Sequence, residues 1–101
     1  MKKVRLLIIL LCLVSLLPTL NYLINRRNEN IKKQKERVLL ENIGYWEKIV
    51  GESPTYRDGY GQLAIGYWQL GAMPQARENL QRAQLLDPYW VPPPELLPLL
   101  P

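Results

Sequence analysis

The 101-residue chain has no histidine, no phenylalanine and a single cysteine, Cys12. Each absence removes a class of function. Without histidine or a cysteine pair there is no ligand set for an ordinary zinc site. No serine or cysteine nucleophile has a histidine base to take its proton. One cysteine permits no internal disulfide, and Cys12 sits inside an apolar run, so cysteine usage does not identify the redox compartment. A phosphate-cradling glycine motif is also missing. Gly59, Gly61 and Gly66 have the spacing G-x-G-x-x-x-x-G within a helical stretch, which suits close packing better. Glu41 with Glu47, and Glu52 with Asp58, read as solvated helix charges. The expectation is a protein that is not an enzyme, with no metal, no cofactor and no small-molecule substrate.

Acidic residues are absent from residues 1–27, which carry Lys2, Lys3, Arg5, Arg26 and Arg27. The remaining chain holds eight basic and nine acidic side chains, so the formal charge of +4 belongs to this N-terminal part. A nucleic-acid binder needs a basic face on the domain itself, and that pattern is not present. Between the basic clusters, Leu6 to Ile24 is an uncharged apolar run of 19 residues. About 20 residues of helix cross the hydrocarbon core. Pro18 does not forbid spanning, and Tyr22 stands where an interfacial aromatic would. After the apolar run, Pro18–Thr19–Leu20–Asn21 offers no small-x-small cleavage site, and Leu10 and Leu11 before Cys12 do not fit a lipoprotein signal. Residues 1–27 therefore read as an uncleaved single-pass anchor in a lipid bilayer. The short N-terminal tail favours an extracytoplasmic C-terminal domain. By count, Arg26, Arg27, Lys32, Lys33, Lys35 and Arg37 favour the reverse. The same basic run suits anionic lipid head groups or an ordinary solvated helix.

Residues 28–54 read as a juxtamembrane amphipathic helix. Asn28 or Asn30 is placed to cap it. Ile31, Val38, Leu39, Ile43, Trp46, Ile49 and Val50 trace its apolar stripe, and Gly51, Ser53 and Pro54 end it.

Residues 55–90 carry the strongest pattern. Tyr60, Leu63, Ala64, Tyr67 and Trp68 recur at three- and four-residue steps, the helical period. Gly71 stops that run, and Pro74 suits the first turn of a second helix. Ala76, Leu80, Ala83 and Leu86 form its stripe, and Pro88 pushes Asp87 out of the α region. The stretch from Arg57 to Trp90 resembles a tetratricopeptide repeat, a helix–turn–helix unit of about 34 residues. Tyr60, Leu63 and Tyr67 stand at the family's large positions, Ala64 at a small one, Gly71 at the turn and Pro88 at the close. Ala76, Leu80 and Ala83 stand at its second-helix packing positions. Pro54 and Pro88 are one repeat period apart, and Trp46 matches a large aromatic position of a preceding second helix. Asn42 and Ile49 depart from the alanines expected there, and Asn28 to Arg37 lacks the first-helix residues. The resemblance thus covers one full repeat and one preceding helix.

It implies an all-α fold: a hairpin packed on one preceding helix, with Trp46, Ile49 and Val50 against Tyr60, Leu63 and Tyr67. It also implies a groove on the first helix of the hairpin, faced by Asp58, Gly61, Ile65, Trp68 and Gln69, that holds a protein partner or a second copy; the alternative is that Trp68 packs under Trp46 or the tail. Such arrays need about three repeats to bury a continuous core, so something must cover the open end. Residues 91–101, a proline- and leucine-rich tail, are expected to be extended as polyproline II. Leu96, Leu97, Leu99 and Leu100 fold back on the second helix, dock on a partner, or stay disordered.

Overall fold

The computed structural model describes residues 1–101 as an all-α protein without strands. Helix α1 is Lys2–Glu52, α2 is Arg57–Leu70 and α3 is Met73–Leu86, followed by a short C-terminal 3₁₀ helix at Pro94–Leu99. The chain divides into two compact units, Met1–Gln34 and Lys35–Pro101.

The first unit is the N-terminal part of α1. It is long and apolar enough to cross a membrane, and none of its apolar window is buried within the molecule. The large apolar side chains from Leu6 to Ile24 are each 53–63 % exposed, on every face of the helix. A helix apolar all round needs an apolar surrounding. Pro18 lies inside the helix without ending it. One turn earlier, Ser15 Oγ donates to the Cys12 carbonyl at 2.8 Å, which keeps that hydroxyl satisfied from within. No break separates an anchor from a juxtamembrane helix. Asn28 and Asn30 are helix-interior residues, not caps, because nothing between Thr19 and Ile43 is glycine or proline. An asparagine in an exposed helix costs only a fraction of a kcal/mol.

The second unit holds the packed core. Residues 35–52 of α1 contribute Ile43 and Val50, which are buried with Tyr60, Leu63 and Ala83. Leu39, Trp46 and Tyr67 pack around them. Close approach of α1 and α2 depends on glycine: a Cβ on Gly66 would lie 2.9 Å from Ile43 Cγ1, and one on Gly59 would lie 2.6 Å from Val50 Cγ1.

The turn from α2 to α3 is a Schellman motif. Gly71 has φ 84°, its N–H donates to the Trp68 carbonyl at 3.0 Å, and the Ala72 N–H donates to Tyr67 at 2.9 Å. Glycine is the residue that takes this left-handed conformation without strain. Pro74 falls in the first turn of α3. Arg57 at the start of α2 reaches Asp87 at the end of α3, so the two helices run antiparallel. The interface between them is built on small residues: Ala64, Ala76 and Ala83 are fully buried, along with Leu63 and Leu80.

The tail departs from the extended expectation. Pro94–Leu99 is a 3₁₀ helix, and only its flanks, Pro93 (φ −54°, ψ 148°) and Leu100 (φ −69°, ψ 142°), keep polyproline-like angles. Leu96 is the reason. Its side chain is completely buried against Ala64 and Leu80, and one 3₁₀ turn brings Leu99 onto the same face. Burial of a leucine contributes about 2 kcal/mol, enough to set the local backbone of a short segment.

Candidate functional site

The face of α2 opposite the α1 contact is the surface of interest. Ile65 and Trp68 stand one helical turn apart and are partly exposed. They pack with Trp90, Leu99 and Leu100 around the buried trio Ala64, Leu80 and Leu96. The face expected to be an open groove is therefore covered by the chain's own tail. Gly61 belongs to the same face. A Cβ there would stand 3.0 Å from Trp90 Cζ2 and 3.3 Å from Cη2, so glycine lets the edge of the indole approach the helix closely. Of the four tail leucines, Leu96, Leu99 and Leu100 dock, and Leu97 remains half exposed. They reach α2 as well as the second helix of the hairpin.

The five residues expected to face the groove do not form one cluster. Gly61, Ile65 and Trp68 share the tail-covered face, apart from Asp58 and Gln69. Asp58 lies at the start of α2, where its Oδ1 accepts from Arg57 Nε at 2.9 Å and Nη2 at 2.5 Å. Gln69 is exposed and helps line an open hollow of about 610 Å³ with Lys35, Val38, Leu39, Glu41 and Asn42, next to α1.

Arg57 ties the corner of the unit together. Its Nη1 donates to Asp87 Oδ2 at 2.6 Å, and its guanidinium carbon lies 5.9 Å from the Trp90 ring centroid. The hydrogen bond to Asp58 and then that to Asp87 hold the guanidinium still more firmly in its charged form. Asp87 Oδ1 also accepts from the Tyr89 N–H at 3.1 Å, an Asx turn that starts the tail. This anchoring was not legible in the sequence, because Arg57 and Asp87 are 30 positions apart and neither belongs to an apolar stripe. The only signal for the tail seat was Leu96, Leu99 and Leu100 at steps of three and four.

The remaining polar contacts are structural. Tyr60 Oη donates to the Pro54 carbonyl at 2.9 Å and fixes the α1–α2 loop. Tyr67 Oη donates to Glu47 Oε1 at 2.9 Å. Burial, and then this bond, push the Tyr67 phenol above its ordinary range. Asn79, the one buried polar residue, donates to the Gln75 carbonyl at 2.8 Å. No group of histidine, cysteine, aspartate and glutamate is arranged to hold a metal.

No family model matches the chain, and neither a curated protein nor a solved structure matches it.

Proposed function

We propose that this protein is a membrane-anchored interaction module of the tetratricopeptide type, acting as a scaffold or assembly factor in a membrane-associated complex. The observation that carries this reading is the pairing of two parts in one chain. One is an apolar helix with nothing of its own to bury against. The other is a small-residue helical hairpin with an aromatic and aliphatic face at Ile65 and Trp68. Trp is a strong anchor at interfaces because it buries a large area at small entropy cost. The packing of Tyr60, Leu63, Ala64, Tyr67, Ala76, Leu80 and Ala83 around a Gly71 turn supports the repeat assignment. In this reading the C-terminal unit is extracytoplasmic, on the weight of Lys2, Lys3 and Arg5 against the larger basic count of Arg26, Arg27, Lys32, Lys33, Lys35 and Arg37. Protease added to the outer face of intact membranes then cleaves the Ser53–Tyr56 loop; cleavage only after the membrane is opened reverses the orientation.

Co-purification of the full chain in mild detergent tests the function. A stoichiometric protein partner or a second copy is expected, and Trp68→Ala is expected to lose it. An isolated monomer overturns the reading.

A second reading has its own support in the all-round exposure of Leu6 to Ile24. Here the chain is a small structural subunit held in a complex mainly by that helix. Replacing residues 6–24 with an unrelated spanning helix separates the two: assembly lost supports the second reading, and assembly retained supports the first.

A further inference from the structure

Just past the apolar run, α1 carries a cluster of cations that nothing in the chain neutralises. Arg26, Arg27, Lys32 and Lys33 are all exposed, and Glu29 is the only acid among residues 25–34. None of the four is in an ion pair. The pairs of this molecule join Arg37 to Glu41, Arg57 to Asp58 and Asp87, and Arg82 to Glu78. Glu29 is within about one helical turn of Arg26, Lys32 and Lys33, yet it pairs with none of them.

Their height along the helix matches a membrane surface. The helix is unbroken here, and at about 1.5 Å per residue Arg26 and Arg27 stand about 3–5 Å beyond Ile24. The head-group layer is about 5–8 Å deep on each side of the hydrocarbon core. With Leu6 to Ile24 spanning, both arginines lie within that layer. Lys32 and Lys33 stand about 12–14 Å beyond Ile24, within one Debye length, about 8 Å, of the layer's outer edge. Tyr22, 63 % exposed and one turn before Arg26, is an aromatic of the kind that settles at this boundary.

The distribution around the helix decides what the cluster suits. Arg27, Lys32 and Lys33 follow Arg26 at about 100°, 240° and 340° around the axis. A protein partner seats on one stripe of a helix and meets only some of these cations. Lipid head groups surround a spanning helix, so every cation of such a ring meets a phosphate. A zwitterionic head group brings its own ammonium, which the ring repels; an anionic one does not. We propose that Arg26, Arg27, Lys32 and Lys33 form a collar that binds the phosphates of anionic lipids in the leaflet on the C-terminal side of the span. The collar goes beyond the interaction reading and rests only on its membrane-spanning part. A basic side chain beside an anionic surface gains about fivefold in association.

A full-length Cys12→Ser, Asn28→Cys chain with a fluorophore at position 28 tests it, in phosphatidylcholine vesicles with phosphatidylglycerol as the minor lipid. Each lipid in turn carries a quencher near the top of its acyl chain, and the quenching ratio reports which lipid neighbours the collar. A preference of about fivefold or more for phosphatidylglycerol is expected. It falls to parity at about 1 M sodium chloride, where the Debye length is about 3 Å. Joint Arg26→Gln, Arg27→Gln, Lys32→Gln and Lys33→Gln substitution abolishes it, whereas Lys2→Gln, Lys3→Gln and Arg5→Gln, at the other end of the span, leave it intact. Equal quenching by the two lipids at low salt overturns the collar and leaves the span standing, and quenching by neither removes both. A preference that survives the four substitutions, or that is lost with the three N-terminal ones, also overturns the collar. Soluble glycerol phosphate that abolishes the preference where sodium chloride of equal ionic strength does not assigns the cations to a free phosphate and overturns the lipid.

Discussion

Leu96 sits in the last tenth of the chain and is as buried as any residue in the helices. Removing its side chain leaves a void against Ala64 and Leu80. Leucine truncations in cores cost about 2–5 kcal/mol. The tail can collapse partly, so Leu96→Ala belongs near 2 kcal/mol, and in a domain of this size that lowers Tm by about 10 °C. Leu97→Ala, at a half-exposed neighbour, shifts Tm by little. Near-UV circular dichroism of the full chain during thermal unfolding reads both, and equal effects at the two positions contradict the docked tail.

Tyr67 carries a different kind of prediction. Its phenol is raised above the ordinary value by burial and by the bond to Glu47. The folded state therefore favours the neutral form. The stabilisation is fully present below the unfolded pKa of about 10, and it is lost as pH rises through the higher folded value. Wild type loses stability on the alkaline side in that window. Tyr67→Phe removes this contribution, so its alkaline loss in urea unfolding is shallower than wild type. A variant with the same alkaline slope contradicts the assignment.

At the scale of elements, the contact of α1 with α2 turns on Gly66. An added methyl would stand 2.9 Å from Ile43 Cγ1, and overpacking of that kind costs about 1–3 kcal/mol. Alanine in place of a helical glycine returns about 0.5–1 kcal/mol. Gly66→Ala is then destabilising by about 1 kcal/mol in wild type. In an Ile43→Ala background the clash is gone and the same substitution becomes stabilising. A double-mutant cycle read by urea unfolding checks the change of sign; additivity would show that α2 does not approach α1 at this point.

The elements differ in how plainly the sequence announces them. The limits of α2 and α3 follow from Gly71, Pro74 and Pro88, because each acts through its own backbone. The end of α1 at Glu52 follows from the Ser53–Pro54 pair in the same way. Its beginning as a single helix does not, since Asn28 and Asn30 are cap-forming residues that here meet no reason to stop. The tail was the least legible. Proline density describes an isolated chain, whereas one buried leucine decided its conformation through a contact more than 30 residues away. The site was partly legible for the same reason. Ile65 and Trp68, which the resemblance set on an open groove, share one face of α2, and the tail packs on it. Trp90 over Gly61, and Arg57 with Asp87, exist only once the hairpin has closed.

On the scale of the whole molecule, the chain joins an apolar helix exposed on all sides to a packed unit of 67 residues. A unit of that size buries a modest share of its surface, and the docked tail adds a missing side to its core. The proposed role follows from that arrangement: a small helical surface held at a bilayer, whose binding face is the one its own tail covers. The most direct test is a photo-crosslinking residue in place of Trp68 in the full chain within membranes, beside one in place of the exposed Arg77. A discrete higher-mass protein adduct is expected from position 68 and none from position 77, retained when residues 6–24 are exchanged for an unrelated spanning helix. No adduct from position 68, or one that disappears with the exchanged anchor, contradicts the proposed role.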